Sequence, residues 1–263
     1  MEGWVCVKHV PESETRLRVD PSGRRYDPQG VHFTINNTYD EAAVEEALRL
    51  RESGALSKLS ILSVGPARSE EGIRYALSMG ADEGLLVETP PGEELDPLSS
   101  ARVLAAALHP EPHDLVLVGR QAADDEAGIV GSALGEFLGL PSYAFVTGLE
   151  LETATGALKL RRYVEGGEEA FTVKAPAVIS LLKGQKDPRT PTLPNILKAR
   201  RKPLRKRPLS ELVTGMEPGL RSSTALKFQL PTPKAGARIV DGATPEEAAE
   251  KLARLLREEA KVL

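Results

Sequence analysis

The sequence has little of what a disulfide framework, a metal centre or a membrane span requires. Cys6 is the only cysteine, and the four histidines are scattered, with no HExxH pair. An internal disulfide and a cysteine-rich metal site are therefore excluded. No apolar run approaches the ~20 residues that span a bilayer. The N-terminus begins a strand at once, without a signal segment, so we expect a cytoplasmic protein with no direct membrane insertion.

The charge balance excludes a further class. The net charge is −4 and the pI is near 5.8, which argues against a general nucleic-acid binder. One local exception is the segment 198–207, where seven of ten residues are basic. No aromatic residues are interleaved there to stack on bases, so we expect a solvated or partner-facing charge run and no nucleic acid.

The hydrophobic content of 41% is sufficient for a substantial core. The first ~145 residues alternate strand patterns with helix patterns, which predicts an α/β fold with a doubly wound, mostly parallel sheet. The predicted strands cover residues 4–10, 33–35, 59–64, 84–87, 115–118 and 143–146, and the predicted helices cover 39–53, 69–79, 97–108 and about 127–138. Thr38 is the predicted N-cap of the first helix, and Glu41 completes a capping box.

The pattern changes in the second half of the chain. Strand patterns separated by glycine turns predict a β-hairpin insertion at about 147–174. These patterns cover residues 149–152, 158–164, 170–173 and 177–182, and the last of them returns to the main sheet. We therefore predict one nucleotide-binding type of α/β domain over residues 1–183.

Two further segments follow this predicted domain. Residues 184–208 are rich in proline and cations, which predicts a long partner-recognition loop without core residues. Residues 209–263 are predicted to be a C-terminal arm with a last strand at 226–230. Thr244 caps its terminal amphipathic helix, with Pro245 at the first helical position. This helix is expected to pack on its own domain or on a partner subunit.

The stretch from Leu115 to Leu138 carries the strongest local signal for a binding site. An apolar strand is followed by a polar loop and a helix, and the free N–H groups at the start of that helix can hold a phosphate. There is no Walker motif and no GxGxxG in this turn. An ordinary helix start with Asp124 or Asp125 as N-cap fits the spacing equally well, and two aspartates would repel a phosphate.

Three stretches together resemble one known family. They read NTYDEAAVEEALRL over 37–50, LVLVGRQAADDE over 115–126 and TLPNILKARRK over 192–202. In this order they resemble the β, or small, subunit of electron transfer flavoproteins, and the resemblance covers essentially the whole chain. The fold it implies is an adenine-nucleotide-binding core similar to that of universal stress proteins.

The resemblance implies a heterodimer in which a larger α subunit holds most of the redox-active FAD. The β subunit buries a structural AMP and lends one wall to the flavin site, and it is not an enzyme by itself. The complex takes electrons from acyl-CoA-type dehydrogenases and passes them to a membrane quinone oxidoreductase. By motif, the implied AMP pocket consists of Cys6, Asn37, Thr38, Tyr39, Asp40, Val64, Gly119, Arg120, Gln121, Ala122, Ala123, Asp124, Asp125, Glu126, Ala127, Gly128, Ile129 and Val130.

The resemblance also implies a docking segment for the dehydrogenase. Leu193 is its expected anchor, and the neighbouring cations are expected to steer an acidic partner surface. The implied docking residues are Thr192, Leu193, Pro194, Asn195, Lys198, Arg200 and Arg201.

The chain departs from the family at two places. Many members carry an aromatic residue near the flavin just after the first strand, whereas residues 11–14 here read PESE. Bifurcating members, which bind a second FAD in place of AMP, show Gly-Asp-Thr in the loop where this chain has Asp124-Asp125-Glu126. The AMP type is therefore favoured, with the second FAD as the alternative.

Two other function classes compete with the electron carrier. A stand-alone stress-type nucleotide-binding domain would lack the basic arm and the terminal helix that this chain has. An adenylating enzyme would need a lysine or histidine at the phosphates, and the loop after Gly119 offers Arg120 and no lysine.

Overall fold

The computed structural model describes residues 1–152, 155–183, 187–213, 223, 226–232 and 236–263. They fall into two compact units, Met1–Lys227 and Phe228–Leu263. Within these described ranges, no helix has the length and apolar character needed to cross a membrane. The predicted domain boundary at residue 184 lies outside the described residues.

The strands and helices alternate through most of the first unit. The strands are β1 Glu2–Cys6, β2 His9–Pro11, β3 Phe33–Ile35, β4 Lys58–Gly65, β5 Glu83–Glu88, β6 Leu115–Gly119, β7 Ser142–Glu152, β8 Ala157–Val164, β9 Gly167–Val173, β10 Ala177–Leu181 and β11 Leu204–Pro208. The helices are α1 Asp40–Glu52, α2 Glu70–Met79, α3 Pro97–Leu108, α4 Val130–Leu138, α5 Leu193–Ala199, α6 Leu209–Leu212 and α7 Pro245–Glu258.

Nine strands form one sheet in the order β11-β5-β4-β1-β6-β10-β7-β8-β9. All neighbours from β11 to β7 are parallel, and β7, β8 and β9 pair antiparallel. The predicted doubly wound α/β fold with its hairpin insertion is thus confirmed. Because both faces of the sheet are covered at its centre, the central strands β1, β6 and β10 are largely apolar.

Successive residues of the central strands point into two separate cores. Val5, Ile61 and Leu117 pack on the face that α1 and α2 cover. Their neighbours Trp4 and Leu62 pack on the opposite face, beneath α3 and α4. The strands are therefore held from both sides, and their carboxyl ends are fixed relative to one another.

The first predicted strand, 4–10, is wrong as a single element. It is divided into β1 and β2, and β2 pairs with β3 in a separate two-stranded sheet. The break occurs at Lys8, whose backbone N–H donates to the Asp40 carboxylate at 2.7 Å instead of joining the large sheet. A long-range contact of this kind leaves no local pattern.

The starts of two helices also differ from their predictions. α1 begins at Asp40, its N-cap is Tyr39, and no side chain caps it, so the predicted Thr38 cap is wrong. α4 begins at Val130 rather than at about 127, because Gly128 has a φ of +66°. Neither Asp124 nor Asp125 is therefore an N-cap of α4. By contrast, α3 spans its predicted residues, with Asp96 accepting from the Ser99 N–H.

The remaining differences lie in the second half. The two strands predicted at 143–146 and 149–152 are one strand, β7, whose alternation is broken where Phe145 has a φ of +60°. The segment 184–208 is not a loop throughout, because it contains α5 and β11, and β11 extends the sheet alongside β5. No strand forms at 226–230. The predicted Thr244 cap is confirmed, since its side chain accepts from the Glu247 N–H.

Candidate functional site

Three loops meet at the carboxyl ends of the central strands. β1 lies between β4 and β6, with Cys6 opposite Leu62 on one side and opposite Val118 on the other. The predicted positions Cys6, Val64 and Gly119 therefore lie along one edge of the sheet. Ligands of open α/β sheets bind beyond this edge.

Hydrogen bonds from Asn36 and Asp40 join the loops at this edge. The Asn36 side-chain amide donates to the Asp40 carboxylate at 3.0 Å and to the Gln121 carbonyl at 2.8 Å. The other Asp40 oxygen accepts from the Lys8 N–H. Asn36 and Asp40 together thus connect the ends of β1, β3 and β6 through short hydrogen bonds.

Asn36 is a site residue that the sequence prediction missed in favour of its neighbour. Asn36 is fully buried, whereas Asn37 and Thr38 are exposed. Its side-chain oxygen is buried without a hydrogen-bond partner in the described part of the chain. Two adjacent asparagines follow the buried Ile35, and the sequence contains no signal that decides which of them turns inward.

Burial controls the protonation of two groups at this edge. Burial raises the pKa of Asp40 to about 7, although the Lys8 N–H and the Asn36 amide oppose the shift. Burial, reinforced by the Asp40 carboxylate, raises the pKa of the Cys6 thiol well above its usual range. Cys6 therefore stays a neutral thiol and contributes shape rather than reactivity.

Gly119 is required by the close approach of α1. A Cβ at this position would collide with the Asp40 carboxylate and would lie 2.8 Å from the Cβ of Tyr39. At Gly131, a Cβ would lie 2.8 Å from the Val118 side chain, so this glycine lets α4 pack on the sheet. Gly128 is different, because a Cβ there would have no atom closer than 3.8 Å. The loop is open to a ligand at Gly128.

A lysine from the connection between β1 and β2 forms ion pairs with the loop after β6. The Lys8 ammonium lies 2.7 Å from the Asp124 carboxylate and 2.9 Å from that of Asp125. Burial lowers the pKa of Lys8, but the two aspartates outweigh it, and the pKa lies above its ordinary value. The loop after Gly119 has no lysine of its own, but Lys8 reaches it from elsewhere in the chain and pairs with both of its aspartates.

The start of α4 offers backbone donors to a ligand. The first N–H groups of a helix have no partner within it, which applies here to Val130 and the two residues after it. Ala127, also predicted to offer its N–H, instead donates to the Asp125 carboxylate at 3.1 Å. Arg120 adds a buried Nε without a partner among the described residues, and its guanidinium lies over the Phe145 ring at 4.9 Å.

The predicted docking residues lie elsewhere, on and around the short helix α5. Leu193 is 69% exposed, and Ile196 and Leu197 are exposed beside it. Thr192, Pro194, Asn195, Lys198, Arg200 and Arg201 are also exposed. The sequence prediction selected Leu193 alone, whereas the structure shows a patch of three apolar side chains next to a group of cations.

The fold is that of a doubly wound α/β protein, with polar side chains gathered beyond the carboxyl ends of its central strands. The sequence model of the electron transfer flavoprotein domain family matches residues 26–212. The chain is 42% identical to electron transfer flavoprotein subunit beta of Homo sapiens over 200 residues, which cover 75% of this chain and 77% of the human one.

Two bacterial relatives match over nearly the whole length. Identity to electron transfer flavoprotein subunit beta of Bradyrhizobium diazoefficiens is 33%, over 92% of this chain and 94% of that protein. Identity to the subunit of the same name from Syntrophomonas wolfei is 34%, over 98% of this chain and 96% of that protein. The chain therefore belongs to the electron transfer flavoprotein beta subunit family.

Proposed function

We propose that this chain is the β subunit of a heterodimeric electron transfer flavoprotein and that it holds a structural AMP. The α subunit then carries most of the redox-active FAD, and this chain forms one wall of the flavin site without catalysing a reaction itself. The observation that carries the AMP proposal is the joining of three strand-end loops by Asn36 and Asp40.

The residues at this edge fit an adenine nucleotide. Gly128 leaves open space against the backbone, and the first N–H groups of α4 suit a phosphate. Asn37 to Tyr39 lie on the loop before Asp40, and their polar groups suit a ribose or an adenine edge. The Lys8 ammonium pairs with both Asp124 and Asp125, which reduces the repulsion that these two carboxylates would exert on an anion here.

Nucleotide analysis tests this proposal directly. The isolated chain is treated with acid, and the released nucleotide is separated by chromatography. We expect AMP in near-stoichiometric amount and little flavin, because the proposed site at the strand ends is filled by AMP and most of the flavin site belongs to the α subunit. A stoichiometric FAD peak from this chain alone would instead assign it to the electron-bifurcating type.

We propose further that α5 docks the electron donor. The exposed Leu193 enters a pocket on an acyl-CoA-type dehydrogenase, and Lys198, Arg200 and Arg201 steer an acidic partner surface toward it. The reduced heterodimer then passes its electrons to a membrane quinone oxidoreductase. The proposed setting is the cytoplasm, with neither nucleic acid nor a membrane bound by this chain.

Leu193→Ala tests the docking proposal. Burying a leucine contributes roughly 1.5–3 kcal/mol, so dehydrogenase-linked dye reduction at sub-saturating concentration should fall by about tenfold or more. AMP content, FAD content and reduction by dithionite should match the parent. A variant that accepts electrons from the dehydrogenase as well as the parent does would show that α5 does not anchor this partner.

A further inference from the structure

The segment that leads into α5 is fastened to α1 by a single arginine. Arg189 bonds Glu45 through its Nε at 2.7 Å and through its Nη2 at 3.1 Å. It also bonds Glu52 through its Nη1 at 2.6 Å and its Nη2 at 3.2 Å. Its backbone N–H donates to Glu45 as well, at 3.1 Å. Arg189, which lies in the segment before α5, is thus held by two carboxylates of one helix.

The carboxylate at the centre of this contact is buried and strongly paired. The Glu45 side chain is 5% exposed, and it also accepts from the Arg49 Nε at 2.9 Å. The guanidinium groups of Arg189 and Arg49 outweigh burial and hold the pKa of Glu45 at about 2. Planar bidentate pairs of this kind fix geometry as well as adding energy, so the pairing specifies where residue 189 lies.

The other end of α5 is fastened to α2. Arg74 donates through its Nη1 to the carbonyls of Ala199 and Lys202, at 2.9 Å each. The Lys202 ammonium bonds the carbonyls of Leu77, Gly80 and Ala81 at the end of α2. The exposed apolar patch of α5 therefore lies between two fixed points.

We infer that Arg189 is a positioning residue whose clamp on Glu45 and Glu52 holds α5 in the orientation that docks the electron donor. Ordering a surface segment costs free energy at the moment of binding, and a segment that is already ordered avoids that cost. Arg189 would act in this way without touching the dehydrogenase or a flavin. This inference rests on the docking role proposed above for α5.

Hydrogen–deuterium exchange on the intact heterodimer tests the clamp without any dehydrogenase. We expect Arg189→Gln to speed the exchange of the α5 amides relative to the parent. Arg49→Gln is the matched control, since it removes the other guanidinium from Glu45 without changing Arg189. It should leave the exchange of the α5 amides as in the parent. Equal α5 exchange in the parent and in Arg189→Gln would overturn the inference.

A second variant tests whether faster exchange in α5 comes from the buried charge of Glu45 rather than from the broken clamp. Arg189→Gln leaves the buried Glu45 carboxylate with Arg49 as its guanidinium partner, so the double variant Arg189→Gln/Glu45→Gln removes the charge of Glu45 as well. The double variant should still show fast exchange in α5, because the clamp remains broken. If the double variant instead protects α5 as the parent does, the effect of the single variant comes from the buried charge, and the clamp is excluded.

Steady-state electron transfer from an acyl-CoA dehydrogenase tests whether the clamp affects docking of the electron donor. Arg189→Gln should raise the KM for the heterodimer by about tenfold, or ~1.4 kcal/mol, with kcat, dithionite reduction, FAD and AMP unchanged. Leu193→Ala is measured beside it. If Leu193→Ala is impaired and Arg189→Gln is not, the clamp role is overturned while the docking proposal stands. If neither variant is impaired, the docking proposal itself fails, and the clamp's role fails with it.

Discussion

Helix α1 carries two buried carboxyl groups whose pKa values are shifted in opposite directions. Measured over the whole residue, Asp40 at the start of α1 is 5% exposed and Glu45 in its interior is 3% exposed. The pKa of Asp40 lies near 7, whereas that of Glu45 lies near 2. Burial raises the pKa of both carboxyl groups, so burial does not explain why the pKa of Glu45 is lowered.

The charge of the hydrogen-bond partners explains it. Asp40 accepts from two neutral donors, the Lys8 backbone N–H and the Asn36 amide. Glu45 accepts from two guanidinium groups, which compensate the cost of burying its charge. One helix therefore carries two different carboxylates: Glu45 stays charged and holds Arg189, while Asp40 lies at the strand-end edge and can change charge near neutral pH.

The largest expected effect comes from crowding Asp40. Gly119→Ala places a Cβ against the Asp40 carboxylate and Tyr39, so the end of β6 or the start of α1 must shift. Overpacking of this kind destabilises by about 3 kcal/mol, and bound nucleotide should be lost. Urea unfolding and nucleotide analysis after acid release measure the two effects.

Gly128→Ala is the matched control for the stability part of that prediction. A Cβ at Gly128 meets open space, so its cost is limited to the backbone strain at positive φ, about 1 kcal/mol. Equal losses of stability in the two alanine variants would show that the Gly119 contact with α1 is not tight.

The next effect in size comes from removing the charge of Glu45. Glu45→Gln weakens its bonds to Arg189 and Arg49 and should cost about 2 kcal/mol at pH 7. The depressed pKa of Glu45 contributes stability that is present above its ordinary 4.5 and is lost as the pH falls through about 2. The difference from the parent should therefore shrink below pH 4.5.

Glu52→Gln provides the comparison for this loss. Glu52 pairs with the same arginine, but its side chain is 55% exposed. Exposed ion pairs contribute ~1 kcal/mol or less, so Glu52→Gln should be nearly neutral in urea unfolding. A loss as large as that of Glu45→Gln would mean that burial does not strengthen this pairing.

Local patterns predicted the parts of the fold that local physics decides. Asp96 is an N-cap residue and Pro97 occupies the first helical position, so the start of α3 is decided by adjacent residues. The alternation of apolar and polar residues over 158–164 predicted β8 within one residue of its start. β11 was not recognised, because its sequence LRKRP at the sheet edge is basic and only partly buried.

The site was predicted less completely, because its key contacts join residues that are far apart in sequence. The predicted Cys6, Val64 and Gly119 lie along one edge, since parallel strands bring their carboxyl ends together. The Lys8 contacts with Asp124 and Asp125 span more than a hundred residues. No spacing rule within the sequence predicts such pairs, and the same applies to Arg189 with Glu45.

A smaller effect than that of Glu45→Gln, about 1 kcal/mol, is expected from Asp40→Asn, and its sign depends on pH. A folded pKa near 7 against an ordinary 3.8 means that Asp40 stabilises the parent fully only below about pH 3.8. That stability is lost as the pH rises through 7. Asparagine does not titrate, so it should be costly at pH 5, where a hydrogen bond is weakened, and neutral or favourable at pH 8.

Urea unfolding of the parent and of Asp40→Asn from pH 4 to pH 8 measures this change. The stability of the variant relative to the parent should rise with pH across this window. Glu45→Gln supplies the opposite case, since its stability relative to the parent should fall as the pH rises from about 2 to 4.5. Parallel curves for the parent and Asp40→Asn would show that Asp40 keeps one charge throughout this window, so that its neutral partners offset the cost of burying the carboxylate.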